Sequence, residues 1–80
     1  MNAFPTYRFI YLEAVRRAGE TSWNVYVERS ALVGRVHRTE AGRFEYDPLV
    51  APPRPLAPRE RAEVDHLLNH LNAKNVDIYP

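Results

Sequence analysis

His66 and His70 stand four residues apart in the stretch HLLNH, and Glu63 lies three residues before the first of them. On a helix this i, i+3, i+7 spacing sets two imidazoles and a carboxylate on one stripe, a donor set that zinc accepts. Three observations argue against a metal site. A structural zinc site wants four protein ligands and a catalytic one usually three, held in a closed arrangement. In the H-E-x-x-H pattern the position after the first histidine is the general-base Glu, and here it is Leu67. At 100° per residue, His66 and His70 fall on a stripe with Arg59 and Glu63, more than about 100° from the apolar stripe of Val64, Leu67, Leu68 and Leu71. That places both histidines on solvent and turns them away from His37, the third in the chain. No metal and no cofactor are expected.

Other chemistry is equally thin. Glu45 and Asp47 sit two residues apart, with Glu28 a candidate across from them. Such carboxylates can hold a hard cation or share a proton, but they are more often the solvated face of a sheet. Ser22 and Ser30 lie in no G-x-S-x-G elbow, and glycines at 19, 34 and 42 only leave no phosphate-cradling loop. The absence of cysteine removes thiol nucleophiles, thiolate metal sites and disulfides together. At 80 residues there is room for one thin core and little room for a deep substrate pocket. The chain is expected to be non-enzymatic.

The elements that would carry these residues are legible to different degrees. In SWNVYVER, Trp23, Val25 and Val27 alternate with Asn24, Tyr26 and Glu28, the period of a half-buried strand over about 22–28. ALVGRVHR continues as a strand over 31–38, with Gly34 marking a bulge or a close backbone approach. Gly42 stands where a hairpin needs positive φ, and RFEYD alternates again over 43–47. The segment from Thr6 to Val15 is rich in aromatic and β-branched residues and is read as a strand, against a competing helix that Gly19 would stop. Prolines at 48, 52, 53, 55 and 58 make residues 48–57 a connector, and three of them recur at the spacing of a polyproline II helix. A spacer explains these prolines better than a ligand for SH3-like grooves, because neither Arg54 nor Arg59 has the usual offset from the proline pair. A helix over about 58–73 begins with Pro58 in a favoured first position, and Val76 to Tyr79 reads as a short edge strand. The fold expected is α+β: an antiparallel meander of three to four strands covered by one C-terminal helix, in a single domain.

Function then rests on surface. If Trp23, Val25, Val27, Val36, Phe44 and Tyr46 face the helix, the opposite face carries Asn24, Tyr26, Glu28, Val33, Arg35, His37, Arg43, Glu45 and Asp47. Two arginines against three carboxylates leave that face slightly acidic, which disfavours laying it on phosphates. Arg16, Arg17, Arg54, Arg59 and Arg61 are interleaved with Glu13, Glu20, Glu60 and Glu63, the mixture of a solvated surface. The net charge of +1 adds no bias towards nucleic acid. Tyr7, Phe9 and Tyr11 alternate with Arg8, Ile10 and Leu12, so the first strand is apolar on both faces. One helix covers one face, so these aromatics are either roofed by the Pro-rich segment or by Tyr79, or form an exposed patch with Tyr26. Aromatics beside arginines are typical interface anchors, and the expected partner-binding residues are Tyr7, Phe9, Tyr11, Tyr26, Arg35 and Arg43. The expected role is a small accessory or inhibitory module that binds another protein, with a homodimer through the same surface as a variant. A small DNA-binding protein using sheet and arginine contacts is the alternative. The longest apolar run, FIYL, is too short to span a bilayer, and MNAFPTYRF has no signal-peptide pattern, so a cytoplasmic setting without a membrane partner is expected.

Overall fold

The computed structural model describes residues 5–76 and has the expected α+β architecture. Four strands, β1 (Ile10–Arg17), β2 (Glu20–Val27), β3 (Ala31–Arg38) and β4 (Phe44–Pro48), form one antiparallel sheet in sequence order, and α1 (Pro58–Val76) follows. The helix lays Val64, Leu67 and Leu71 on Ile10, Val25, Val27, Val33 and Val36, which together make the core. Each such side chain taken out of water contributes about 1.5–3 kcal/mol, and this single layer is all that a chain of this size can assemble.

Tight turns set the register. Ala18 and Gly19 both have positive φ, 52° and 81°, so β1 and β2 are joined by a two-residue turn with Arg17 paired to Glu20. Both strands therefore run further towards this turn than the pattern suggested, and β1 starts at Ile10 rather than Thr6. At the next turn Glu28 and Arg29 also have positive φ, 53° and 68°, which ends β2 at Val27 and takes Glu28 off the sheet face. The third turn uses Gly42, at φ 84°, as its sequence position required.

Gly34 marks the bulge. Val25 pairs with Gly34 and Tyr26 with Leu32, so Val33 is an extra residue in β3. The inserted residue breaks strict alternation, and Val33 turns into the core at 1% exposure instead of lying on the open face. Gly34 also admits the Tyr46 ring: a Cβ there would meet the ring at 2.5 Å and the Asp47 carbonyl oxygen at 2.6 Å.

The connector and the helix start are held by one buried carboxylate. Glu60 accepts the N–H of Ala57 at 2.8 Å, the side-chain half of a capping box, with Pro58 as first helical residue. Arg54 grips the same carboxylate with both terminal nitrogens, at 2.8 and 2.6 Å, and reaches Glu28 with Nε at 3.1 Å. These bonds hold the Glu60 carboxyl below its usual range, the Arg54 contact first among them. At the far edge of the sheet, Asn72 of α1 accepts from the Phe44 N–H at 2.8 Å and donates to the Phe44 carbonyl at 3.2 Å. An amide side chain thus stands where another strand would pair with β4. The edge strand expected at Val76 to Tyr79 falls outside the described residues except for Val76, the last residue of α1.

Candidate functional site

With α1 on one face of the sheet, no described element covers the other; Tyr79, one cover considered for the aromatics, lies outside the described residues. Counting out from the Ala18–Gly19 turn, β1 shows it Tyr11, Glu13 and Val15, and β2 shows it Ser22, Asn24 and Tyr26. Beyond the bulge β3 adds Arg35 and His37, and β4 adds Glu45 and Asp47. Tyr11 and Tyr26 are direct cross-strand partners, their rings 6.2 Å apart and inclined at 61°, an edge-to-face contact. Tyr11 remains 58% exposed. The Tyr26 hydroxyl donates to Glu13 Oε1 at 2.8 Å, and Asn24 Nδ2 donates to the same oxygen at 3.1 Å. The two bonds lower the Glu13 carboxyl from its usual range, and the bond to Glu13 raises the Tyr26 hydroxyl. Two aromatic rings are therefore fixed in a defined pose on an open surface. Arg35 is exposed in the next strands, between Asn24 and Asp47, while Asp47 bonds His37 on the diagonal.

Tyr7 and Phe9 do not join this patch. Both oxygens of Glu63 accept backbone N–H groups, from Arg8 at 3.0 Å, Phe9 at 2.8 Å and Ile10 at 3.0 Å. The carboxylate draws the chain before β1 over the helix and off the sheet. Tyr7 then packs against the core edge, its hydroxyl 2.9 Å from His66 Nδ1 and its ring edge-on to the imidazole at 5.6 Å. Burial raises the Tyr7 hydroxyl, with the Glu63 charge adding to it. Phe9 lies under the Arg59 guanidinium, 4.5 Å from its ring centre. The helix stripe of Arg59, Glu63 and His66, which the spacing turned towards solvent, is thus the seat of the N-terminal segment. Among the described residues no three His, Asp or Glu side chains gather as a metal-holding group.

Arg43 is also elsewhere. It precedes β4 at the opposite edge of the sheet from Tyr11, beside a shallow hollow shared with Asn69 and Asn72 of α1. Other described arginines divide between hollows: Arg17, Arg35 and Arg38 line one, and Arg8, Arg29, Arg54 and Arg59 another together with Glu28 and Glu60. Arg54 is engaged by Glu60 and Glu28, Arg61 by Asp65 at 3.2 Å, and Arg59 by Phe9, while Arg16 and Arg17 end β1.

Glu13 was missed as a member of the site, although the sequence held the signal. A two-residue turn at Ala18-Gly19 pairs Arg17 with Glu20, and the antiparallel count then sets Glu13 on Asn24 and Tyr11 on Tyr26. Among the described residues no helix is long and apolar enough to cross a membrane. Comparison of the chain with protein-family models, curated proteins and solved structures finds no match to any of them.

Proposed function

We propose that this chain is a non-enzymatic protein-interaction module, an accessory or inhibitory modulator that docks a larger protein on its uncovered sheet face. The observation that carries the reading is the Tyr11–Tyr26 pair: a large ring 58% exposed beside a second ring whose hydroxyl is tethered to Glu13. Tyrosines fixed before binding lose little conformational freedom on docking, which is why such residues anchor interfaces. Arg35, exposed on the same face, supplies a planar donor for a carboxylate or carbonyl of the partner. Against nucleic acid, Glu13, Glu20, Glu45 and Asp47 outnumber Arg17 and Arg35 on this face, a balance that does not favour phosphates.

The test is a tagged pull-down from lysate of the source cell, with and without nuclease, comparing the native chain with Tyr11→Ser/Tyr26→Ser. A protein retained in stoichiometric amount after nuclease and lost at least about tenfold by the double variant is expected, with the circular dichroism spectrum unchanged. Recovery abolished by nuclease, with affinity falling steeply as salt rises, would transfer the function to nucleic acid and to Arg16, Arg17, Arg35 or Arg43.

A further inference from the structure

The two edges of the sheet are treated differently. On β4, Asn72 occupies both backbone groups of Phe44. On β1, Glu63 occupies the N–H of Ile10, and among the described residues no other strand pairs with this edge. The pairing rule says which groups remain open. The pair that flanks a two-residue turn, Arg17 and Glu20, exchanges both hydrogen bonds, and pairs alternate along the ladder. Ile10, Leu12, Ala14 and Arg16 therefore point their N–H and C=O away from β2. The bond from the Ile10 N–H to Glu63 agrees with this parity. Beside the open edge, on the helix side, lies a cavity of about 420 Å³ lined by Pro5, Tyr7, Leu12, Ala14 and Trp23 among others. An uncovered edge with an apolar hollow is what native sheets normally avoid, by charge, proline or a covering element.

We propose that the occupant is a second copy of this chain, whose β1 pairs antiparallel with the first β1 about a two-fold axis at Ala14, giving one continuous eight-stranded sheet. The residues of β1 are complementary to themselves in this register. Ala14 meets Ala14, small enough for the strands to close on the axis, and Leu12 stands opposite Arg16 of the second copy. About six backbone hydrogen bonds satisfy the open groups of Leu12, Ala14 and Arg16 in both copies. On the open face Tyr11 stands opposite Arg17 of the second copy, and Glu13 is diagonal to that same guanidinium, within reach of long side chains. Neighbouring registers are poorer. Centring one step towards Ile10 sets Glu13 against Glu13 and asks for the N–H that Glu63 already holds. Centring on Val15 puts Leu12 opposite the turn residue Ala18 and loses a pair of ladder bonds. The dimer is held by the edge of β1 and does not rest on the docking reading, although it brings Arg17 of the second copy beside Tyr11 and Glu13 and sets two Tyr11–Tyr26 pairs on one surface.

Sedimentation equilibrium of the full chain tests this directly. A mass twice 9.3 kDa is expected at about 100 µM. Ala14→Pro removes an outward N–H without touching the β1–β2 ladder, a position where an edge strand tolerates proline. It should raise the dimer dissociation constant at least about tenfold while the circular dichroism spectrum stays that of the native chain. If that variant unfolds, the charge pair decides: Glu13→Arg and Arg17→Glu should each weaken the dimer, and their combination should restore it. A chain that stays monomeric to about 0.5 mM overturns the proposal. So does a dimer that persists in folded Ala14→Pro, or a charge swap that fails to restore association.

Discussion

Single carboxylates do much of the positioning in this small protein. Glu63 gathers three consecutive backbone N–H groups, and an anion accepting several amides is among the stronger arrangements a surface can offer. Glu60 accepts one backbone N–H at the helix start, and Glu13 holds the Tyr26 hydroxyl and the Asn24 side-chain amide. Glu63→Ala strands the three amides and releases Tyr7 from the core edge. A loss of about 2 kcal/mol in urea unfolding is expected, with hydrogen exchange at residues 8–10 rising more than elsewhere. Glu63→Gln, which keeps an oxygen acceptor, should lose less. At this scale the sequence misled on Tyr7 and Phe9. Their alternation is that of a strand, and only a helix residue more than fifty positions away, Glu63, takes them out of one.

At the scale of elements, turns decide where strands lie. The Ala18-Gly19 turn needs positive φ at both residues, and alanine resists it through its Cβ. Ala18→Asn converts the turn to Asn-Gly, the pair most at home in it. A gain of about 0.5–1 kcal/mol is expected, read as a higher midpoint in thermal unfolding. The hairpin from Ala31 to Pro48 was readable because Gly42 and the alternation of Phe44 and Tyr46 agree with each other. The bulge was half readable: Gly34 announced an irregularity, but not that Val33 would turn inward to complete the core.

For the whole molecule, stability couples the connector to the helix through Arg54 and Glu60. The Glu60 carboxyl is held below its unfolded value, so its contribution is fully present above the ordinary carboxylate range and is lost as pH falls through the lowered one. Arg54→Gln leaves a carboxylate buried at 4% exposure without its cation. A loss of stability is expected at neutral pH. Because Glu60 is protonated in both chains in strong acid, the gap between native and variant should close as pH falls below about 4. Urea titrations stepped from pH 7 into acid follow that difference as it closes.

What the chain determined by itself was local and periodic. The alternation from Trp23 to Tyr46, the proline cluster and the leucine stripe of α1 dictate an antiparallel sheet under one helix, because side-chain period and burial are properties of a strand or helix taken alone. Tertiary structure decided which surface is open. Glu63 moves Tyr7 and Phe9 onto the helix, the bulge hides Val33, and Asn72 closes one edge while β1 leaves the other. Each of these is a contact between residues distant in sequence, or a packing choice made after the sheet and helix have met. No periodicity encodes such contacts, because a carboxylate or amide finds its backbone partners only once the elements are in place.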